Sequence, residues 1–249
     1  GDWISDVCSS DLAIIQARIG STRLPGKVLK EVLGKPLLQY QLERVKQSTK
    51  IDEIVVATTD KKRDDVIAQF CKSELVSVFR GSEKDVLKRY YDAAKVYQAD
   101  VIVRLTADCP LISPEIIDRI IETYVDTSAQ YVSNTVERTF PRGLDVEVFS
   151  MEVLEKVHRE AALVSEREHV TKYIVSHPHQ FEIVQVQHDE DLSEHRWTVD
   201  TQEDFLLMKK LLETIYPKKP NFTMEDILNT LRIYPSWQNI NKHIKQRDV

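Results

Sequence analysis

Arg18, Ser21, Thr22, Arg23 and Lys27 fall within eleven residues, Ala17-Arg18-Ile19-Gly20-Ser21-Thr22-Arg23-Leu24-Pro25-Gly26-Lys27, directly after the apolar run Leu12-Ala13-Ile14-Ile15. Cations, hydroxyls and two glycines at this density suit a loop that grips phosphate. Glycine lets main-chain N–H groups approach an anion, and Arg and Lys surround it with fixed charge and donors. The spacing is not that of a P-loop, because five residues separate Gly20 from Gly26 and Val28 follows Lys27. The same residues also suit a solvated turn, and composition alone leaves both readings open.

Two further stretches carry acids. In Thr106-Ala107-Asp108-Cys109-Pro110-Leu111-Ile112-Ser113, an Asp directly follows an apolar run. It is placed either for a divalent cation or for a turn in which it bonds its own backbone. In Leu144-Asp145-Val146-Glu147-Val148, the alternation puts Asp145 and Glu147 on one strand face. At about 3.3 Å rise per residue their carboxylates lie roughly 6–7 Å apart, close enough to engage one polar substrate or cation; a solvated strand surface explains them equally well.

Short apolar runs alternating with helical patterns must position these groups. Strands are expected at 12–17, 53–59, 76–79 and 101–105, and the β-branched run Glu53-Ile54-Val55-Val56-Ala57-Thr58-Thr59 is of the kind buried on both faces. Helices are expected from Pro36 to about 50, over 61–72 with Asp60 as its cap, over 85–97, and from Ser113-Pro114 onward. That order implies right-handed βαβ crossovers and a mostly parallel, three-layer α/β sheet. Ligands in such sheets gather beyond the carboxyl ends of the strands, so the loops 17–27, 58–62, 80–85 and 106–113 face the site. Beyond Ala129 strands are expected at 130–134, 144–149 and 181–186. The capping-box form Ser165-Glu166-Arg167-Glu168 predicts one helix over 165–176. A short strand from 195 ends in Asp200, Thr201 caps a helix to about 215, and helices near 224–232 and 236–246 close the chain.

Composition narrows the class. The 249 residues suffice for one domain, 42% hydrophobic and 30% charged residues are ordinary for a globular protein, and no apolar run reaches the eighteen or so residues of a membrane span. Three scattered cysteines suggest neither a disulfide framework nor a zinc cluster, so a cytoplasmic location is expected. A net charge of −6 with scattered Lys and Arg argues against a nucleic-acid surface while leaving room for one basic pocket. Residues 1–11 show no clear period and read as a non-core leader, with 12–249 as the single domain.

The opening loop, together with Val55-Val56-Ala57-Thr58, Arg80-Gly81-Ser82, Asp108-Cys109-Pro110-Leu111-Ile112, Gly143-Leu144-Asp145-Val146-Glu147-Val148-Phe149, Arg167-Glu168-His169-Val170-Thr171 and Arg196-Trp197-Thr198-Val199-Asp200-Thr201, resembles the cytidylyltransferases that activate 3-deoxy sugar acids. Within them the resemblance is strongest to the branch of the spore coat polysaccharide biosynthesis protein F. It implies a Rossmann-like nucleotidyltransferase fold of the nucleotide-diphospho-sugar transferase type, with a small antiparallel acceptor and dimerisation arm at about 135–190 and C-terminal helices over 221–249. The implied reaction uses CTP and Mg²⁺ to make a CMP-sugar and pyrophosphate from a sugar acid. Carried over by position, Ala17, Arg18, Ser21, Thr22, Arg23 and Lys27 would hold the nucleotide, with Gly81, Ser82 and Thr106 near base or ribose. Asp108 and Asp200 would hold the metal; Arg18, Lys27 and the two aspartates would be catalytic. Asp145, Glu147, Arg167 and His169 would serve the acceptor or a homodimer contact. Members specific for 3-deoxy-octulosonate or sialic acids often carry Gln-Gly-Asp where this chain has Thr106-Ala107-Asp108. Three other readings compete: a sugar-phosphate nucleotidyltransferase, a glycosyltransferase of the same fold, and a catalytically silent nucleotide-binding scaffold. The first would lead with a Gly-Gly-rich loop and the second with Asp-x-Asp, neither of which is present, and the third leaves Lys27, Asp108 and Asp200 without a purpose.

Overall fold

A computed structural model describes residues 10–246. Most of the stretch read as a leader lies outside the described residues, although its last member, Asp11, already belongs to the first strand. In chain order the elements are β1 (Asp11–Gln16), β2 (Glu31–Val32), β3 (Lys35–Pro36), α1 (Leu37–Val45), β4 (Glu53–Thr59), α2 (Asp65–Ser73), β5 (Ser77–Gly81), α3 (Val86–Val96), β6 (Val101–Thr106) and α4 (Pro114–Asp126). They continue with β7 (Tyr131–Ser133), β8 (Glu147–Ser150), α5 (Met151–Glu160), α6 (Val164–Glu168), α7 (Lys172–Ser176), β9 (Ile183–Gln185), α8 (Gln202–Ile215) and α9 (Met224–Ile233).

Seven strands form one sheet in the order β5-β4-β1-β6-β8-β7-β9. The first four are mutually parallel, β8 runs antiparallel to both its neighbours, and β9 pairs parallel with β7. The mostly parallel α/β architecture therefore matches its sequence pattern, and β2-β3 adds a separate two-stranded antiparallel hairpin. Strand periodicity divides the core between the two faces. Ala13 and Ile15 of β1 pack with α1, α2, α4, α8 and α9, whereas Leu12 and Ile14 pack with α3, α5 and the α6–α7 segment. Among the described residues no helix is long and apolar enough to cross a membrane.

Several expectations shift. The single helix over 165–176 is two short ones, because Val170 between them takes a positive φ of 37°. A β-branched residue in that region is strained by roughly 1–3 kcal/mol and persists only where its surroundings over-determine it. Val170 is fully buried in the core beneath α3 and α5. The turn ahead of α6 is closed by Glu166, whose carboxylate accepts from the Ala162 and Leu163 N–H groups, in place of a Ser165 cap. Asp60 does not cap α2; Asp64 stands at that N-cap. Alternation over 144–149 becomes ladder only from Glu147, the stretch 195–200 makes one isolated bridge between Arg142 and Arg196, and 236–246 holds a 3₁₀ turn over Pro235–Ile240.

Candidate active site

Strands are added to one side of β1 (β4, then β5) and afterwards to the other (β6), so the loops following β1 and β6 diverge and leave a crevice at the carboxyl end of the sheet. The crevice holds two adjoining cavities of about 280 and 480 Å³. They share a wall made by Gln16, Thr106, Asp108, His169, Asp200 and Gln246.

The loop after β1 folds back on itself. Gly26 N–H donates to Ile19 O at 3.0 Å and Lys27 N–H to Leu24 O at 3.2 Å, a turn that needs the left-handed conformation of Gly26 (φ 68°). Its base is pinned by Ile19 N–H donating to the buried Asp64 carboxylate at 2.7 Å. As a result Ala17, Arg18, Ser21, Thr22, Arg23 and Lys27 all line the smaller cavity, together with Thr106.

The two aspartates converge on Lys27. Its Nζ donates to Asp108 Oδ2 at 3.1 Å and to Asp200 Oδ1 at 2.7 Å. Burial opposes the charge on Lys27, but the two carboxylates outweigh it and raise its pKa, so it is a fixed cation. Burial likewise opposes ionisation of Asp108, while Lys27 and a 2.6 Å hydrogen bond from the Thr106 hydroxyl hold its carboxyl well below the ordinary range. The loops bearing these acids are stitched together, Val199 N–H donating to Asp108 O at 2.8 Å and the Thr198 hydroxyl to the same oxygen at 3.1 Å. Asp200 Oδ2 also meets Arg23 and Arg196, each at 3.0 Å.

Arg196 is held in turn. Its Nε and Nη2 donate to the buried Asp204 carboxylate at 2.9 and 3.0 Å. Asn241, 45 residues after Arg196, donates from Nδ2 to Arg196 O at 2.9 Å and to Asp204 Oδ1 at 2.8 Å. Gly143 completes this wall: a Cβ there would lie 2.6 Å from Trp197 C, so only glycine lets Arg142 and Trp197 pair through their backbones.

The larger cavity lies toward β8. Glu147 is at its floor but is fully committed. It is paired with Arg104, directly opposite on β6, and accepts from the Tyr131 and Thr171 hydroxyls at 2.5 and 2.6 Å. Burial would raise its pKa, but Arg104 and the hydroxyls keep it lowered. Asp145 is likewise paired with Arg138. By contrast Arg142 and Lys172 line the same cavity with no hydrogen bond or ion pair from their side chains to any described residue.

Some expected residues stand elsewhere. Gly81 and Ser82 do not line either cavity; Ser82 instead gives its carbonyl to Arg89, which does line the smaller one. Arg167 clamps Asp85, the N-cap of α3, at 2.7 Å and donates to His158 O, away from the crevice. His169 stands in the wall common to both cavities. Arg89 and Lys172 give no signal in the sequence beyond their charge, whereas Arg104 does: a cation inside the apolar run Val101-Ile102-Val103-Arg104-Leu105 requires a buried partner.

A family profile described as Cytidylyltransferase matches residues 12–240. An uncharacterized protein of Methanocaldococcus jannaschii is 42% identical over 241 residues, covering 95% of this chain and 96% of that one. The spore coat polysaccharide biosynthesis protein SpsF of Bacillus subtilis is 36% identical over 231 residues, covering 90% and 95% of the two chains. A solved structure of a cytidylyltransferase from Leptospira borgpetersenii superposes with a TM-score of 0.89 at 36% identity, over 96% of this chain and all of that one.

Proposed function

The chain belongs to the cytidylyltransferase family, and from that premise we propose that it transfers CMP from CTP to a 3-deoxy-ulosonic sugar acid with release of pyrophosphate, in the cytoplasm, for surface or spore coat polysaccharide synthesis. One observation carries the acid as acceptor. The larger cavity presents Arg142 and Lys172 with no ion pair to any described residue, while the four acids of its lining are each held by another cation: Asp145 by Arg138, Glu147 by Arg104, and Asp108 and Asp200 by Lys27. A half-buried guanidinium with no ion pair favours an anionic ligand, and a carboxylate matches its planar fork.

In this reading the smaller cavity takes the nucleotide. Arg18, Ser21, Thr22, Arg23 and Lys27 surround the triphosphate, and Arg18 and Lys27 stabilise charge that develops on the α-phosphate and its leaving oxygens. The donor set fits Mg²⁺. Two hard carboxylates from different loops, Asp108 after β6 and Asp200 ahead of α8, face one shared cation position, now taken by the Lys27 ammonium, and phosphate oxygens and water would fill the remaining places. Held there, Mg²⁺ would supply neutralising charge to the phosphates. A homodimer through the 135–190 arm belongs to the same reading.

The experiment is to incubate the protein with Mg²⁺, each nucleoside triphosphate and a panel of 3-deoxy-ulosonic acids. Pyrophosphate is expected with CTP and at least one acid. Release only with sugar 1-phosphates, or with none of the acids, would overturn the acceptor assignment.

A further inference from the structure

We propose that His169 is the general base that takes the proton of the attacking acceptor hydroxyl, an assignment that rests on the cytidylyl-transfer reading above. Attack on the α-phosphate must occur where nucleotide and acceptor meet, which is the wall common to the two cavities. Of the six residues in that wall, Gln16 and Gln246 hold no titratable group and Thr106 donates its hydroxyl to Asp108. Asp108 and Asp200 are bound to Lys27, and Asp200 to two arginines besides. His169 is the remaining member, and its imidazole makes no hydrogen bond to any described residue.

Two further features fit this role. On either side of the left-handed Val170, His169 lines both cavities and the Thr171 hydroxyl donates to Glu147. Its surroundings also favour the proton-accepting form of the imidazole. Burial is the main cause of its lowered pKa; Glu168 is the largest charge influence and opposes it, while Arg104 from β6 and Lys172 from α7 add smaller pushes in the same direction as burial. Glu168 is exposed, and it lines only the nucleotide cavity.

The step balances simply. The acceptor oxygen forms a bond to the α-phosphorus, the bond to the bridging oxygen breaks with its electron pair leaving on pyrophosphate, and the hydroxyl proton passes to an imidazole nitrogen of His169.

The test uses the full chain with CTP, Mg²⁺ and 3-deoxy-manno-octulosonate as probe acceptor, replaced by another acid of the panel if that one turns over faster, from about pH 5 to 9. His169→Gln and His169→Asn are compared with Glu168→Gln, with CTP affinity and circular dichroism measured on each. The expected result for both His169 variants is a kcat lowered by about 10²–10⁴-fold, little change in acceptor KM or CTP affinity, and loss of the acidic limb of the kcat profile. Glu168→Gln is expected to keep that limb. A raised KM with kcat intact, an acidic limb that survives in both His169 variants, or a limb lost in Glu168→Gln would each overturn the assignment while leaving cytidylyl transfer standing. Wild-type protein that releases no pyrophosphate with any acid would overturn the transfer reading, and the base with it.

Discussion

Lys27 Nζ lies 2.7 Å from Asp200 Oδ1, although 173 residues separate the two in the chain. The contact joins the loop after β1 to the loop ahead of α8 directly over the crevice, and with the Asp108 contact it gathers one ammonium and two carboxylates at a single point. Charge in this site is therefore shared, and altering one member is expected to change the ionisation of the others.

Lys27→Met is expected to lower kcat by about 10²–10³-fold, in line with loss of one preorganised charge-stabilising donor. It should also raise the Asp108 pKa, since Lys27 is the largest influence keeping that carboxyl ionised. Steady-state kinetics and a carboxyl-carbon NMR titration check the two parts separately.

Asp108→Asn and Asp200→Asn should each abolish measurable turnover while the far-ultraviolet dichroism stays native. Their stabilities are expected to differ. Asp200 neutralises Lys27, Arg23 and Arg196 together, so its replacement leaves more unbalanced charge and should lower unfolding free energy by about 1–3 kcal/mol more than that of Asp108. Urea melts of the two variants decide it, and equal midpoints would contradict the shared-charge account.

Acid stability follows from the same cluster. The Asp108 carboxyl is held down to about 2 against an ordinary 3.8, so its contribution is fully present above the ordinary value and is lost as pH falls toward the native one. Thermal melts between these limits should show wild-type protein losing stability more steeply than Asp108→Asn, with the two curves parallel at neutral pH.

Arg142→Ala is expected to raise the acceptor KM by at least about tenfold, with kcat and CTP affinity changed far less, because Arg142 lines the larger cavity, proposed for the acceptor, and not the smaller one. An equal loss of CTP affinity would place its role elsewhere.

Glu147→Gln should destabilise the fold by about 3–5 kcal/mol by leaving Arg104 buried without a counter-charge. The double replacement Arg104→Met, Glu147→Leu is expected to recover much of that loss in denaturant melts. No recovery would mean that Glu147 matters mainly through Tyr131 and Thr171.

The central parallel strands were legible because their β-branched runs are buried on both faces and admit few other structures. The opening loop was legible for a related reason: its charges cluster in a chain whose other cations are scattered. Alternation at 144–149 gave the shared face of Asp145 and Glu147 but not what it meets, since that depends on the register placing Arg104 opposite Glu147. No element is expected over 151–160 from the sequence, although Val153, Leu154 and Val157 stand at helical spacing and bury one side of α5 there, with Ser150 as its cap. The break between α6 and α7 had no local signature, because valine is a residue that avoids the conformation Val170 adopts. Tertiary packing imposes it.

Asn241 is bonded to both Arg196 O and the Asp204 carboxylate, and Arg196 in turn braces Asp200. The brace behind Asp200 thus comes from a stretch far downstream of Lys27, Asp108 and Asp200 in the chain. A growing chain that already carries Lys27, Asp108 and Asp200 still lacks the side chain that ties Arg196 to Asp204 until residue 241 has been added and has docked, so this wall is completed long after its aspartate has been made.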